Sequence, residues 1–268
     1  MNITAIVFSK NRPMQLFALL ESMFYNSNMD PTDVNVLYKA DHEYIWPMEQ
    51  AKQAFPKVNF HPEFDFRTQT MGLVNGAKEH VVYFTDDDVF KDNVDFDLIT
   101  RFLGGNLPVF CFSLRLGKHL DFCYSTQSRQ SVPHAGVTKE PFFVWNWKGT
   151  DWDWNYPLSV DGHVFRRTDA LFAMNNSGDW KSPNTFEGNM SHLHNQIPHP
   201  QMACFTVSRV FNVPHNRVQS EVKNVFGGGS EGDLLSLWNE GKKIDIKTFQ
   251  RIKNKSAHQL VPLTFVKR

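Results

Sequence analysis

The first 90 residues alternate short apolar runs with segments of helical period, and few folds accept that order. "ITAIVFS" (3–9) is a buried-strand pattern; the breaker "KNRP" follows, then "MQLFALLESMFYN" (14–26) with helical spacing. "VNVLYKA" (34–40) reads as a second strand and "YIWPMEQAKQAF" (44–55) as helical in its second half. "VNFHPE" (58–63) is a third strand, "RTQTMGLVNGAK" (67–78) a helix and "HVVYFTDDD" (80–88) a fourth strand that ends in acid. Strand and helix in turn imply an α/β fold, with a mostly parallel central sheet flanked by helices. The chain has 268 residues, enough for a sizeable core.

After residue 90 the order loosens. "VFCFSLRLG" (109–117) is another strand, and a polar, Trp-rich stretch follows to about 156. "SVDGHVFRRTDALFAM" (159–174) reads as strand then helix. "SPNTFEGNMSHLHNQI" (182–197) opens a helix at Ser182–Pro183, with Glu187 in or near the first turn. "MACFTVSRVFNV" (202–213) reads as one late strand, "FGGGSEGD" (226–233) as a loop and "LLSLWNEGKKIDIKTFQRI" (234–252) as one or two helices. No repeat is visible, so we expect one domain, 1–268. Its nucleotide-binding half is 1–120, a smaller mixed acceptor and catalytic half is 121–225, and a C-terminal lid with helices is 226–268.

Charge and cysteines exclude several classes. Lys+Arg and Asp+Glu are 28 each, so no overall field attracts nucleic acid, and no nucleic-acid partner is expected. Three scattered cysteines without a CxxC pair argue against a disulfide framework and suit a reducing compartment. No apolar run reaches the roughly 18 residues that span a bilayer, so a cytoplasmic protein is expected.

The segment "VVYFTDDDVF" (81–90) drives a buried strand into Asp86, Asp87 and Asp88. At the carboxyl end of a strand in an open parallel sheet, that is where ligands bind. Clustered carboxylates repel one another unless a cation lies between them, and oxygen donors suit Mg²⁺ or Mn²⁺. The plainer reading is an acidic turn or a helix cap. The buried strand ahead of it and its fourth place in the alternation favour the ligand site.

"ITAIVFSKNRP", "VNVLYKAD" and "VVYFTDDDVF" together resemble the nucleotide-binding half of a GT-A fold glycosyltransferase, family 2-like, with Asp86–Asp87–Asp88 matching its DxD motif. The resemblance covers about the first 120 residues and extends loosely to 220. It implies a metal-dependent, hexosyltransferase-like enzyme. Such an enzyme moves a sugar from a nucleotide-diphosphate sugar, a UDP-sugar first, to an acceptor hydroxyl, with inversion expected. It also implies nucleotide contacts at Ser9, Asn11, Arg12, Asp41, Arg67, Asp86 and Asp87. Asp86 and Asp88 would hold Mn²⁺ or Mg²⁺, with His215 as a third ligand. Glu187 stands for the catalytic base, without the second acid the family usually has, and Asp161 is the reserve. Against these roles stand plain ones: a surface arginine for Arg12, a helix cap for Asp41, a dipole acid for Glu187 and a DG turn for Asp161–Gly162.

The four tryptophans Trp145, Trp147, Trp152 and Trp154 read as an aromatic face toward an acceptor sugar, or as a plug over the core. His192, His194 and His199 read as helix-end residues, since no HExxH or cysteine accompanies them. "FGGGSEGD" lacks the GK[ST] of a phosphate loop and is expected to act as a lid. Two other classes stay open. A nucleotidyltransferase acting on a sugar phosphate would carry a glycine-rich first loop, absent from "FSKNRP". A non-catalytic carbohydrate-binding protein would keep the tryptophans alone.

Overall fold

The computed structural model describes residues 1–105, 108–134, 137–139, 141–216 and 231–268. The first ninety residues follow the alternation. β1 (Ile3–Lys10), α1 (Pro13–Asn26), β2 (Val34–Lys39), α2 (Ile45–Ala54), β3 (Asn59–Pro62), α3 (Phe66–Asn75) and β4 (His80–Thr85) come in that order, and a short β5 (Asp88–Phe90) follows. Next are α4 (Phe96–Leu103), β6 (Val109–Ser113), two short strands β7 (Phe122–Cys123) and β8 (Ser128–Arg129), then β9 (Val137–Lys139) and β10 (Phe142–Asn146). The remainder is β11 (His163–Arg166), α5 (Arg167–Asn176), α6 (Pro183–Ser191), β12 (Gln201–Phe205), β13 (Val210–Asn212), α7 (Glu231–Asn239), β14 (Lys242–Ile244) and β15 (Phe265–Lys267).

Nine strands form one sheet, in the order β3-β2-β1-β4-β11-β6-β12-β10-β9. β1 pairs in parallel with β2 and β4, and β2 with β3. β11 slots in antiparallel between β4 and β6, and β12 lies parallel to β6. β10 and β9 close that edge as antiparallel strands. Seven strands therefore run one way, and β11 and β10 run the other.

Residues 3–9 of β1 are all buried, as a central parallel strand covered on both faces requires. Its alternation then sorts them. Ile3, Ala5 and Val7 pack with Leu16, Leu19 and Met23 of α1, while Ile6 and Phe8 join the opposite core with Phe66, Tyr83 and Phe186. α1 begins at Pro13, where a missing N–H costs nothing, and eleven of its fourteen residues are buried. One side of α1 meets the sheet; the other meets a third cluster around Phe17, Phe211, Trp238 and Phe249, contributed mainly by the C-terminal elements.

Two sequence expectations fail here. Residues 202–213 are not one strand: β12 joins the sheet, and Val210–Asn212 forms a separate ribbon with β5. Residues 234–252 are not purely helical, since α7 is followed by β14 and a 3₁₀ turn at Ile246–Phe249. In both, short-range period is overridden by pairing with a distant segment. The expected lid at 226–233 falls mostly outside the described residues. Among the described residues, no helix is long and apolar enough to cross a membrane, and all three cysteines are free and buried.

Candidate functional site

The carboxyl ends of β1, β2 and β4 open into a cleft of about 610 Å³, closed on the far side by residues just after β6, just before β11 and in α6 and by C-terminal residues. A cleft at this edge of the sheet follows from the strand ends leaving backbone turns uncovered.

On the near wall, β4 ends at Thr85 and the chain turns through Asp86 and Asp87 before β5. The Asp86 amide is fixed by a bond to the Phe8 carbonyl at 3.1 Å. Arg12, only 8% exposed, reaches across from the start of α1. Its Nη1 donates to Asp86 Oδ1 and Asp87 Oδ2, each at 2.9 Å, and its Nη2 donates to the Asn216 carbonyl. Lys10 N–H donates to Asp86 Oδ2 at 3.1 Å. Asp87 Oδ1 accepts from the Thr85 hydroxyl at 2.9 Å and from Asn212 at 2.8 Å. Burial opposes the Arg12 charge, but the two carboxylates outweigh it and raise its pKa. Burial and the neighbouring Asp87 push Asp86 up to about 6, although Arg12 pulls the other way.

On the far wall, Arg115 follows β6 and is buried. Its Nη1 donates to Asp161 Oδ2 at 3.3 Å and its Nη2 to Ser159 Oγ at 2.7 Å. The Thr85 hydroxyl lies 2.7 Å from Asp161 Oδ1, so its one proton serves either Asp87 or Asp161, and His258 Nε2 lies 3.3 Å from Oδ2. Burial alone would raise the Asp161 pKa. The Arg115 charge, with the His258 and Thr85 contacts, instead holds it well below the usual carboxylate range. Gly162, at φ +62°, lets Asp161 face inward; its N–H donates to the Tyr83 carbonyl at 2.7 Å and its carbonyl accepts from Leu114. The DG pair thus ties the ends of β4 and β6 together instead of making a hairpin.

Glu187 enters the same cleft from α6. Ser182 and Thr185 cap that helix reciprocally, and no acid lies in its first turn, so Glu187 is not there to meet the helix dipole. Val160 N–H donates to Glu187 Oε1 at 3.1 Å. Burial and the Asp161 charge push the Glu187 carboxyl up to about 7, against the pull of Arg115 and the hydrogen bonds from Ser159 and Val160. A carboxyl poised near neutrality suits proton transfer.

Of the residues singled out in the sequence, Ser9, Arg12, Asp86, Asp87, Asp161 and Glu187 meet in this cleft. Others do not. Asn11 and Asp41 bond one another, Asn11 Nδ2 to Asp41 Oδ2 at 2.7 Å and Asp41 N–H to Asn11 Oδ1 at 2.9 Å; they brace the ends of β1 and β2 behind the cleft wall. Arg67 pairs with Asp179 and covers the Trp180 ring, away from the cleft. Asp88 is fully buried and does not line the cleft; Oδ2 accepts from Thr85 N–H, and Oδ1 has no hydrogen-bond partner. Burial and the Asp161 charge raise its pKa well above the usual range. His215 borders a small cavity behind Asp86 and Asp87, not the cleft itself. His163 is buried against the Pro157 carbonyl, and burial lowers it to about 3.

Asp86, Asp88 and His215 therefore do not converge on one ion. Among the described residues, no group of three or more His, Cys, Asp or Glu is arranged to hold a metal. Asp86 and Asp87 both border the cleft and offer hard oxygens. Two such carboxylates fit an ion that takes its other ligands from a diphosphate and water.

The tryptophans split. Trp145, Trp147 and Trp154 are fully buried, and their indole N–H groups donate to the carbonyls of Trp154, His199 and Leu120. They are core. Trp152, 51% exposed with φ +36°, borders the cleft. His194 packs edge-on to Trp147 and bonds Asn155. Sequence reasoning missed Arg115, Ser159, Asn216 and His258. The one hint was an arginine directly after an apolar strand, "VFCFSLR".

No protein-family model matches the chain, and no curated protein matches it significantly. Among solved structures, the chain is similar to S. aureus TarS 1–349, at 13% identity over 77% of this chain and 58% of that one, with a TM-score of 0.46. It is also similar to TarS 1–349 in complex with UDP-GlcNAc, at 15% identity over 78% and 56%, TM-score 0.44. A third similarity is to the mannosyltransferase PcManGT from Pyrobaculum calidifontis in complex with GDP-Man and Mn²⁺, at 10% identity over 76% and 54%, TM-score 0.42. The matched region spans a little over half the length of each of those chains.

Proposed function

We propose that this protein is a glycosyltransferase of GT-A type, which moves a sugar from a nucleoside diphosphate sugar to an acceptor hydroxyl with inversion. The observation that carries this reading is one cleft with Ser9, Arg12, Asp86 and Asp87 on one wall and a carboxyl poised near neutrality, Glu187, on the other. The acceptor oxygen attacks the sugar's anomeric carbon. The bond from that carbon to the diphosphate oxygen breaks, and its electron pair leaves with the diphosphate. The hydroxyl proton passes to Glu187. One displacement with one base inverts the centre.

Lys10 and Lys39 border the cleft at the end where a diphosphate would lie, and Arg12, its Nη atoms bonded to Asp86, Asp87 and the Asn216 carbonyl, holds the two acids in place there. Asp86 and Asp87 would hold a Mg²⁺ or Mn²⁺ ion, which when bound supplies Lewis-acid stabilisation of the leaving diphosphate. Asp161 stays ionised and is suited to accept from a sugar hydroxyl. Trp152 supplies an apolar face for an acceptor ring.

A thermal-shift screen of UDP-, GDP- and CDP-sugars, with and without Mn²⁺, tests this. The reading expects one nucleoside diphosphate sugar to stabilise the fold more strongly with the metal. Stabilisation only by a nucleoside triphosphate with a sugar phosphate would replace it with nucleotidyl transfer, and no response to any nucleotide would end it.

A further inference from the structure

The near wall of the cleft carries its charges in one row, and strand register sets their order. β1 and β2 end side by side at Lys10 and Lys39. The last pair of β2 with β3 is Tyr38 with Pro62, so Glu63 comes next, beside Lys39. Its N–H donates to the Tyr38 carbonyl at 2.7 Å, which carries the parallel pairing one step past the strand. On the other flank β1 and β4 end their pairing at Phe8 and Thr85, one residue before Asp86. Glu63, Lys39, Lys10, Asp86 and Asp87 all border the cleft. Neighbouring strands lie about 4.8 Å apart, so Glu63 stands three strands, about 14 Å, from the Asp86–Asp87 corner.

The two ends of the row differ. Asp86 and Asp87 are paired with Arg12. Among the described residues the half-buried Glu63 carboxylate makes no hydrogen bond and no ion pair, nor do the ammonium groups of Lys10 and Lys39. Burial raises the Glu63 pKa, and Lys39 and Lys10 lie near enough to oppose that without closing on it. Asp41, expected at the nucleotide, is held by Asn11. Glu63 is the acid this side of the cleft leaves open to a ligand.

A nucleoside diphosphate with its phosphates at Asp86, Asp87 and Lys10, and its sugar toward Glu187, runs its base past Lys39 to Glu63. A carboxylate has two acceptor oxygens and no donor, and an ammonium has donors only. Lys39 and Glu63 therefore present donor, acceptor, acceptor. The edge of guanine is the complement: the O6 acceptor, then the N1–H and N2–H₂ donors. Uracil has one N–H between two carbonyls, so its second carbonyl would face a carboxylate oxygen. Cytosine and adenine carry a ring-nitrogen acceptor next to the amino group, and that nitrogen would face the other oxygen. Such a mismatch is costly, because both groups give up water and gain no bond.

We propose that Glu63 selects guanine as the base of the donor, its carboxylate accepting from the two adjacent N–H groups while Lys39 donates to the neighbouring carbonyl. This rests on the nucleotide-sugar reading above, and it replaces the UDP-sugar expected from the sequence with a GDP-sugar.

Calorimetric titration of the whole chain, in Mn²⁺, with GDP, inosine diphosphate, UDP, CDP and ADP tests it. GDP is expected to bind at least about tenfold more tightly than UDP, CDP or ADP, the discrimination of a bidentate base contact. Inosine diphosphate, which lacks only the 2-amino group, is expected to bind about tenfold more weakly than GDP. Glu63→Gln keeps the shape and offers one donor and one acceptor, so both gaps are expected to shrink, chiefly through weaker GDP binding. UDP, CDP or ADP binding as tightly as GDP overturns the proposal, and so does a GDP preference unchanged in Glu63→Gln. Should that variant fail to fold, the wild-type order of GDP, inosine diphosphate and UDP still decides the base. Binding of none of the five would end the glycosyltransferase reading itself, and this proposal with it.

Discussion

The two walls of the cleft use the same parts differently. Each has one buried arginine and nearby carboxylates. On the near wall Arg12 bonds both Asp86 and Asp87, so these two acids share a cationic partner. On the far wall Arg115 is spent on Asp161 and Ser159, and Glu187 accepts from Val160 N–H but has no ion pair among the described residues. The difference in function follows. Paired acids and a fork make a surface for a charged ligand. An acid without an ion pair, beside Asp161 whose pKa is held low, has a pKa pulled up to where a proton can come and go. On the proposed reading, the distribution of one arginine's donors decides which carboxylate would bind and which would react.

The contrast can be broken most sharply at Glu187. Glu187→Gln keeps the shape and removes the proposed base, so turnover should fall by about 10²- to 10⁴-fold with donor affinity unchanged. Steady-state kinetics beside direct donor binding checks it. In the wild type the base must be ionised, so the rate should rise with pH through about 7.

On the near wall, Arg12→Met leaves Asp86 and Asp87 buried without their cation. A loss of about 3–5 kcal/mol in unfolding free energy is expected, together with donor binding. Urea denaturation measures the first and titration the second. A fully stable variant would show that the pair is not held by Arg12.

Tryptophan substitutions sharpen the boundary between cleft and core. Trp154→Ala should cost about 3–5 kcal/mol, since it empties a buried site. Trp152→Ala should leave the melting temperature near wild type and raise the acceptor KM by up to about tenfold. Equal melting losses would return Trp152 to the core.

The smallest effect tests the link between the walls. Asp161→Asn removes the charge that raises the Glu187 pKa, so the kinetic pKa should fall below about 7. The same change reads out in stability. A depressed Asp161 pKa contributes stability above the ordinary carboxylate value of about 3.9, and the contribution is lost as pH falls through the folded value. The wild type should therefore lose stability on acidification more steeply than the variant.

The near wall was largely legible in the sequence. Seven buried residues running into "KNRP" marked β1 and its turn, and the apolar "HVVYFT" marked the strand that delivers Asp86 and Asp87. What failed there was direction: Asp88 has the same composition as its neighbours, but alternation along β5 sends it inward. The far wall was legible only as isolated letters. Arg115, Ser159 and Asp161 meet through contacts spanning 44 and 46 residues, and His258 joins from 143 residues beyond Arg115. No local period marks such contacts. The tryptophans show the same limit, since spacing alone did not separate the exposed Trp152 from three buried neighbours.

Calorimetric titration of nucleoside diphosphate sugars in the presence of Mn²⁺, run on wild type, Arg12→Lys and Glu187→Gln, tests the division of the cleft most directly. The account predicts that a donor binds wild type and Glu187→Gln alike and binds Arg12→Lys at least tenfold more weakly, because a lysine cannot hold Asp86, Asp87 and the Asn216 carbonyl together as the guanidinium does. Binding that survives Arg12→Lys and is lost in Glu187→Gln, or no binding to the wild type, would contradict it.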